Sequence, residues 1–467
     1  MISHCQIHQS CHHLLDVANC QSSFSFTMGD CIPDTHDVSA AGDRDIETYH
    51  ISSALHARAA HHESFQQLWE TKWKGPCAMG VYPFMFGSIT DFQPVVDAII
   101  AKGLKEPYNW DEYASMFFPQ AFKLAFTARQ AEQNGEKEKA CELYLRSSAL
   151  YRIARFPAPR SPKQHEAWNL GKHVFYKGSS LLPIPILPIS IPHPNHLPSE
   201  PPLIPASLLL PPSSHPLPLL IILTGLDGYR TELSVWQTPL SRFSIATLVL
   251  EIPGTGDSPS LPSDPLSPDR LMSSLFSYIS TALPTVNSSN VIIWGFSTGG
   301  YYSLRAAHTH PSHLLGSVSL GGGCHHMFDE TWLRNVNHLE YPFDLAHTLA
   351  HKFGYGDDLD QFIKEGKSKF SLLDSRILDQ ESCKTLVVNG DLDEIFPVED
   401  LYLAVKDKNG DVRKNTEFKV VEGRKHMGEP ESFGVILEWI HGLWGLEAGV
   451  DEFKKGVLER LPFKPKY

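Results

Sequence analysis

Residues 295–299 read Gly-Phe-Ser-Thr-Gly, a G-x-S-x-G pattern centred on Ser297. The apolar run VIIW precedes the pattern, and the helical stretch YYSLRAAHTH follows it. A sharp turn from strand to helix leaves no room for a Cβ on either side of the serine, which explains the two glycines. Such a turn raises the serine hydroxyl above the sheet at a helix N-terminus, where developing negative charge is stabilised. The sequence therefore predicts Ser297 as a nucleophile.

A serine hydroxyl attacks only when a base removes its proton, and that base needs a carboxylate to orient it. With a nucleophile on a strand-to-helix turn, the acid and then the histidine come later in the chain. The loop after TLVVNG offers three carboxylates, of which we predict Asp393 as the acid, with Asp391 as the alternative. The loop after FKVVEG supplies His426 just before the closing helix, and we predict it as the base.

The tetrahedral oxyanion formed by serine attack needs two hydrogen-bond donors. The backbone N–H of Thr298, directly after the nucleophile, is one candidate. The second is the N–H of Leu226, in the loop TGLDGYR that follows the apolar run LLIILT. An ordinary strand-to-helix loop is the alternative for each segment taken alone. The occurrence of the serine turn and of the loops with Leu226, Asp393 and His426 in this order favours a working catalytic triad with its oxyanion site.

The elements that must position these residues alternate between short apolar runs and helical stretches. Six β-branched or leucine-rich runs between residues 219 and 423 are of strand length, and most are separated by helical patterns. This alternation indicates a parallel sheet covered on both faces. We predict an α/β class protein with the α/β-hydrolase fold: a mostly parallel eight-stranded sheet, a catalytic domain over residues 165–467, and a cap insertion at about 325–382.

The rest of the chain divides into three parts. Residues 1–60 are polar and rich in histidine, and we predict a disordered leader there; its His and Cys residues do not match a zinc-binding spacing. Residues 65–160 carry helical apolar spacing with a break at Asn134-Gly135, which predicts a helical N-terminal region. Between residues 183 and 218 prolines are dense, and edge strands joined by proline-rich loops are favoured over a flexible linker.

Composition limits the function classes. The chain has 467 residues, 42% of them hydrophobic, and 40 Lys and Arg against 53 Asp and Glu, a net charge of −13. The apolar content excludes a wholly disordered chain, and the acidic balance argues against nucleic-acid binding. The apolar runs of the chain are too short or too interrupted to predict a membrane span. The first residues do not match the pattern of a secretory signal. Eight scattered cysteines favour free thiols and a cytoplasmic location.

Seven segments together resemble a known group of fungal enzymes. They are LWETKWKGPCAMGVYPF, ELYLRSSALYRIARFP, LTGLDGYRTE, IPGTGDSP, WGFSTGGYY, LGGGCHHMF and VVNGDLDEIFP. The chain is similar to the polyketide-shortening hydrolases of pigment and melanin pathways, the yellowish-green family, and more distantly to bacterial hydrolases that cleave dihydroxypyridine ketones. The resemblance runs from about Leu68 to near the C-terminus.

The resemblance implies a helical lid over the site and a triad at Ser297, Asp393 and His426. It implies that the GLDGYR and CHH segments line the substrate pocket, which adds candidate binding residues: Asp227, Tyr229, Arg230, His325 and His326. It also implies hydrolysis of a carbon–carbon bond in an aromatic polyketide, as in the conversion of a heptaketide naphthopyrone to tetrahydroxynaphthalene and acetoacetate. Neither a metal nor an organic cofactor is expected, the expected partner is a small-molecule polyketide, and a homodimer is left open.

Two other functions compete with this one. The same triad would serve an ester, lactone or amide hydrolase, or a related acyl-transfer enzyme, in another fungal secondary-metabolite pathway, because pocket shape rather than the catalytic groups selects the bond. A non-catalytic ligand-binding protein with the hydrolase fold is the third function, and the retained serine on its strained turn counts against it.

Overall fold

The computed structural model describes residues 35–37, 58–407 and 409–467, and in these residues nine strands form a single sheet. The strands are β1 (Thr35–Asp37), β2 (Leu187–Pro192), β3 (Leu203–Leu209), β4 (Leu217–Leu223), β5 (Ala246–Leu250), β6 (Val286–Phe296), β7 (Gly316–Leu320), β8 (Lys384–Gly390) and β9 (Thr416–Val421). Their order across the sheet is β1-β9-β8-β7-β6-β4-β5-β3-β2.

Strands β4 to β9 pair in parallel, whereas β2, β3 and β1 pair antiparallel at the two edges. Every residue of β5 and β7 is buried, as expected for strands covered on both faces. The predicted mostly parallel sheet of the α/β-hydrolase fold is confirmed, with eight strands between residues 187 and 421. The ninth, β1, is three residues long and lies within the predicted leader; the rest of the leader up to residue 57, including its His and Cys residues, lies outside the described residues.

Seventeen α-helices accompany the sheet in the described residues. They are α1 (Phe65–Leu68), α2 (Lys74–Met79), α3 (Ile89–Lys102), α4 (Trp110–Ser115), α5 (Phe118–Gln133), α6 (Lys137–Arg155), α7 (Pro162–Ser179), α8 (Arg230–Leu233), α9 (Gln237–Ser241), α10 (Ser267–Ala282), α11 (Thr298–Thr309), α12 (Glu330–Asn335), α13 (Leu345–Lys352), α14 (Leu359–Phe370), α15 (Glu399–Val405), α16 (Glu431–Trp444) and α17 (Val450–Leu458). A π-helical turn, Trp69–Trp73, joins α1 to α2. None of the described helices is long and apolar enough to cross a bilayer.

The N-terminal helices pack around α6. This helix is buried without interruption from Ala140 to Arg155, so its polar residues must find partners inside the protein. The predicted break at Asn134-Gly135 separates α5 from α6 and is confirmed. Aromatic exposure in this region is limited: Trp69 and Trp73 are buried, and Phe122 and Phe126 on α5 are the large exposed aromatic residues within residues 58–160.

Two further predictions about organisation can be compared with the structure. The proline-rich stretch contains β2, at the edge of the sheet, and β3, which pairs with β2 on one side and with β5 on the other, so strands are confirmed there and one of the two is an edge strand. The segment between β7 and β8 contains α12, α13 and α14, and its placement over the sheet stays a prediction. We call residues 325–382 the insertion below.

Candidate active site

Ser297 occupies the turn between β6 and α11 with φ 53° and ψ −124°, a backbone conformation that a non-glycine residue rarely adopts. Its N–H donates to the carbonyl oxygen of Leu320 at 2.7 Å, which fixes the turn to the neighbouring strand. A Cβ at Gly295 would collide with the backbone of Gly299, and a Cβ at Gly299 would lie 2.7 Å from the carbonyl oxygen of Leu223. Both glycines of the motif are therefore required by close backbone packing.

His426 lies at the carboxyl end of β9, and its side chain joins the serine to a carboxylate. His426 Nε2 is 2.8 Å from Ser297 Oγ, and His426 Nδ1 is 2.8 Å from Asp393 Oδ2. A carboxylate can only accept, so Nδ1 donates to it and Nε2 is left to accept the serine proton. Asp391, the alternative acid, instead accepts the backbone N–H of Gly423 at 2.7 Å. The structure thus brings together Ser297, His426 and Asp393.

Asp393 is fixed by contacts that the sequence did not predict. Its Oδ1 accepts the backbone N–H groups of Ile395 and Phe396 at 2.7 and 3.2 Å. Its Oδ2 accepts from Asn389 Nδ2 at 2.7 Å. The one sequence signal for Asn389 was a polar residue at the end of the otherwise apolar run TLVVNG. Because these donors fix both oxygens of Asp393, the carboxylate is oriented toward His426 before substrate binds.

Three acidic side chains interact electrostatically with His426. Burial by itself would lower the pKa of this histidine, but the charge and hydrogen bond of Asp393, with Glu340 and Glu429, outweigh burial and raise it. Burial raises the pKa of Glu429 to about 7, with Glu340 adding to the effect and His426 opposing it. Burial also raises the pKa of Glu340, against the charge of Lys72, and its Oε2 has no hydrogen-bond partner among the described residues. Two carboxyl groups with raised pKa values thus interact with the base, and neither glutamate was recognised from the sequence.

The two predicted oxyanion donors lie in loops that meet at the serine. Thr298 is the first residue of α11, and within the described part of the chain its N–H donates to no acceptor. The same holds for the N–H of Leu226. A Cβ at Gly225 would be 3.3 Å from Ser297 Cβ, so the loop that carries Leu226 packs directly against the nucleophile. Two free backbone donors thus flank the serine, as an oxyanion site requires.

Asp227 follows Leu226 and receives hydrogen bonds from two tyrosines. Tyr82 Oη donates to Asp227 Oδ1 at 2.5 Å, and Tyr341 Oη donates to Asp227 Oδ2 at 2.8 Å. Burial raises the pKa of Asp227, while the tyrosines, Arg155 and His426 act to lower it. The side chain therefore links the N-terminal region to the insertion, and its predicted contact with substrate stays a prediction.

Tyr229 and Arg230 have internal partners instead of facing a substrate. The ring of Tyr229 is buried under the guanidinium of Arg155, 3.7 Å away. Arg230 is buried and forms ion pairs with Glu251 and Asp257, both at 2.7 Å. Both side chains are thus engaged by internal partners, and their predicted contact with substrate stays a prediction.

His325 and His326 also have structural contacts. Their backbone N–H groups, with those of Cys324 and Met327, donate to the carboxylate of Asp400. The His325 ring is 2.7 Å from Ser371 Oγ, and the His326 ring is 2.9 Å from Asp329. Both side chains are buried. These contacts anchor the start of the insertion, and the predicted substrate-binding role of the pair stays a prediction.

The arrangement of Ser297, His426 and Asp393 is that of a catalytic triad. The FrsA-like esterase family matches residues 108–441. This chain belongs to that family. It is 26% identical over 271 residues to Esterase FrsA of Photobacterium profundum, covering 57% of each protein. It is 23% identical over 267 residues to Esterase FrsA of Citrobacter koseri, covering 56% of this chain and 61% of that one. The chain therefore spans less than two thirds of the length of these FrsA relatives.

Two solved structures share the fold. AbyA5 superimposes with a TM-score of 0.60 at 19% identity, covering 80% of this chain and 95% of that one. The 2,6-dihydroxy-pseudo-oxynicotine hydrolase superimposes with a TM-score of 0.58 at 17% identity, covering 77% of this chain and 93% of that one. At these identities the likeness establishes the α/β-hydrolase fold alone. The comparisons support the α/β-hydrolase fold that the sequence resemblance implies.

Proposed function

We propose that this FrsA-like protein is a serine hydrolase that shortens an aromatic polyketide by cleaving a carbon–carbon bond beside a ketone. The observation that carries the proposal is the continuous relay from Asp393 Oδ2 through His426 to Ser297 Oγ, with 2.8 Å at each step. In the proposed reaction, Ser297 attacks the ketone carbonyl of a β-diketone side chain while His426 takes the hydroxyl proton. The N–H groups of Leu226 and Thr298 hold the oxyanion.

Collapse of the tetrahedral intermediate breaks the bond between the carbonyl carbon and its α-carbon. The electron pair leaves as an enolate or phenolate delocalised over the neighbouring carbonyl and ring, and protonated His426 returns the proton to the leaving carbon. Water, activated by the same histidine, then hydrolyses the acyl-serine. The balance is one diketone and one water giving a shortened aromatic product and a carboxylic acid, as in naphthopyrone hydrolysis to tetrahydroxynaphthalene and acetoacetate.

Two features support carbon–carbon cleavage. A carbanion leaving group must be protonated as it departs, and Glu429, with its pKa raised to about 7, and Glu340 place further protonatable groups beside His426. The seven sequence segments that resemble polyketide-shortening hydrolases are the second feature.

An ester hydrolase is the second candidate, because the family matched is that of FrsA-like esterases. The triad and the oxyanion donors would act in the same way, with an alkoxide in place of the carbanion as leaving group. A non-catalytic ligand-binding protein is the remaining candidate. It predicts an unreactive serine, which a phosphonate label would reveal.

The test is incubation of purified protein with a heptaketide naphthopyrone, followed by mass spectrometry, in parallel with Ser297→Ala. Ser303→Ala is the matched control, since Ser303 lies on α11, is buried and bonds backbone carbonyls. We expect wild type and Ser303→Ala to release tetrahydroxynaphthalene and acetoacetate, and Ser297→Ala to release neither. Turnover by Ser297→Ala above a few per cent of wild type would contradict the covalent mechanism.

A p-nitrophenyl ester and an active-site phosphonate separate the alternatives. Ester turnover and labelling without naphthopyrone cleavage would reject the carbon–carbon substrate and leave the ester hydrolase. Absence of labelling at Ser297 together with absence of turnover would favour the ligand-binding protein.

A further inference from the structure

The geometry points to Tyr82, Tyr341 and Asp227 as a clasp that positions the oxyanion donor Leu226 when the N-terminal region and the insertion meet over the site. The inference rests on the proposed nucleophile and oxyanion site but not on the identity of the substrate. Tyr82 and Tyr341 are positioning residues here, because they act through Asp227.

The three members of the clasp come from three separate parts of the chain. Tyr82 lies between α2 and α3 in the N-terminal region, and Tyr341 precedes α13 in the insertion. Asp227 is in the loop between β4 and α8. The two tyrosine hydroxyls donate to different oxygens of the one carboxylate, at 2.5 and 2.8 Å. The carboxylate therefore carries both bonds only when the two regions are in place together.

The backbone at Asp227 is held as well. Arg155 Nη1, from the buried end of α6, donates to the carbonyl oxygen of Asp227 at 2.5 Å. Arg155 is itself anchored by an ion pair with buried Glu232. A Cβ at Gly228 would lie 3.3 Å from the ring of Tyr82, so this ring packs onto the loop beside the carboxylate. The residue after Leu226 is thus restrained through its side chain, its carbonyl group and its neighbour.

These restraints have a direct consequence for Leu226. Gly225, on its other side, packs against Phe296 and Ser297, so Leu226 is held between the nucleophile turn and the clasp. An oxyanion donor contributes most when its position is fixed before the reaction, and a displacement of about 1 Å can cost about 100-fold in rate. Tyrosine donors also spread the negative charge of Asp227, which would otherwise oppose an oxyanion nearby.

The experiment measures labelling of Ser297 by a fluorophosphonate, for which no natural substrate is needed. In this reaction Ser297 Oγ bonds to phosphorus as fluoride leaves and His426 takes the proton, and the phosphoryl oxygen occupies the oxyanion site. We expect the second-order labelling rate to fall about 10-fold in Tyr82→Phe and in Tyr341→Phe and about 100-fold in the double variant. In p-nitrophenyl ester turnover, kcat should fall in parallel while KM changes little.

Tyr113→Phe is the matched control. Its hydroxyl is buried in the same N-terminal region and donates to the carbonyl oxygen of Ile153 at 3.0 Å, so the variant loses one buried hydrogen bond without touching the clasp. Tyr113→Phe should lose about as much thermal stability as the clasp variants, and its Ser297 should be labelled at the wild-type rate. Asp227→Asn, whose amide can still accept from one tyrosine and donate to the other, should retain more labelling than Asp227→Ala.

The outcomes separate the clasp from the proposed function. A double variant that labels like wild type, or a control that slows as much as the clasp variants, would overturn the clasp. A rise in KM with unchanged labelling would also overturn it and make the tyrosines substrate contacts. If the wild-type protein is labelled but cleaves no naphthopyrone, the proposed polyketide substrate is wrong. The labelling rates of the variants still test the clasp in that case. Unlabelled wild-type protein would overturn the nucleophile and the clasp together.

Discussion

Asn389 Nδ2 lies 2.7 Å from Asp393 Oδ2, the same oxygen that accepts the hydrogen bond from His426 Nδ1. The Asn389 side chain also accepts the N–H of Met427 at 2.7 Å, so one amide joins the loop of the acid to the loop of the histidine. The first contact fixes the side chain of Asp393, and the second fixes the backbone next to His426. The relay geometry therefore depends on a residue that does not touch the serine.

The first prediction concerns this amide. Asn389→Ala removes the donor to Asp393 and leaves the Met427 N–H without its acceptor, so the histidine loses its fixed orientation. We expect kcat for a p-nitrophenyl ester to fall about 10- to 100-fold. Asn415→Ala is the control, because Asn415 is exposed and donates only to the carbonyl oxygen of Ser382. A variant of Asn389 with wild-type kcat would show that Asp393 is held adequately by its backbone donors.

The second prediction distinguishes the two aspartates that the sequence left as alternatives. Asp393→Asn keeps the shape of the side chain but no longer enforces the Nδ1–H tautomer of His426, and kcat should fall about 10³- to 10⁴-fold. Asp391→Asn keeps an oxygen for the Gly423 N–H and should change kcat by about twofold at most. Steady-state kinetics of the two variants decides the assignment, and equal losses would refute it.

The third prediction is a pH dependence. His426 must be neutral to take the serine proton, and its pKa lies above the usual 6.5 because Asp393, Glu340 and Glu429 outweigh the effect of burial. Activity should therefore decline as pH falls through that raised pKa, with the midpoint of the acid limb above 6.5. Glu340→Gln and Glu429→Gln each remove a negative charge, lower the pKa of His426 and move the acid limb of kcat/KM to lower pH.

Glu394→Gln controls for the loss of a surface carboxylate in the same area. Glu394 forms an ion pair with Lys425 at 2.9 Å, and the largest causes of the raised pKa of His426 are other groups. Its pH profile should overlay that of wild type. An acid limb that stays in place in both glutamate variants would mean that Asp393 alone sets the basicity of the histidine.

Site residues were predictable from the sequence where neighbouring residues mark them, and were not where only the tertiary fold brings them to the site. Ser297 was predictable because the glycines and the strand–helix change lie within a few residues of it, and His426 because it follows the last parallel strand. Glu340 and Tyr341 were not predictable, since they lie in the insertion and reach the site only through the tertiary fold. The ion pairs of Arg230 were not predictable either, since a charged residue near the nucleophile looks the same in sequence whether it binds substrate or completes a buried ion pair.

The fourth prediction asks whether Arg230 acts in the buried ion pairs or binds substrate. Arg230→Met leaves Glu251, which is fully buried, without its cation, and breaking such a pair costs about 3–5 kcal/mol. The free energy of unfolding, measured with urea, should fall by an amount of that order, whereas KM of the folded enzyme at low temperature should stay near that of wild type. Arg242→Met, at an exposed position a few residues along the chain, should change neither quantity. A large rise in KM with unchanged unfolding free energy would return Arg230 to the substrate pocket.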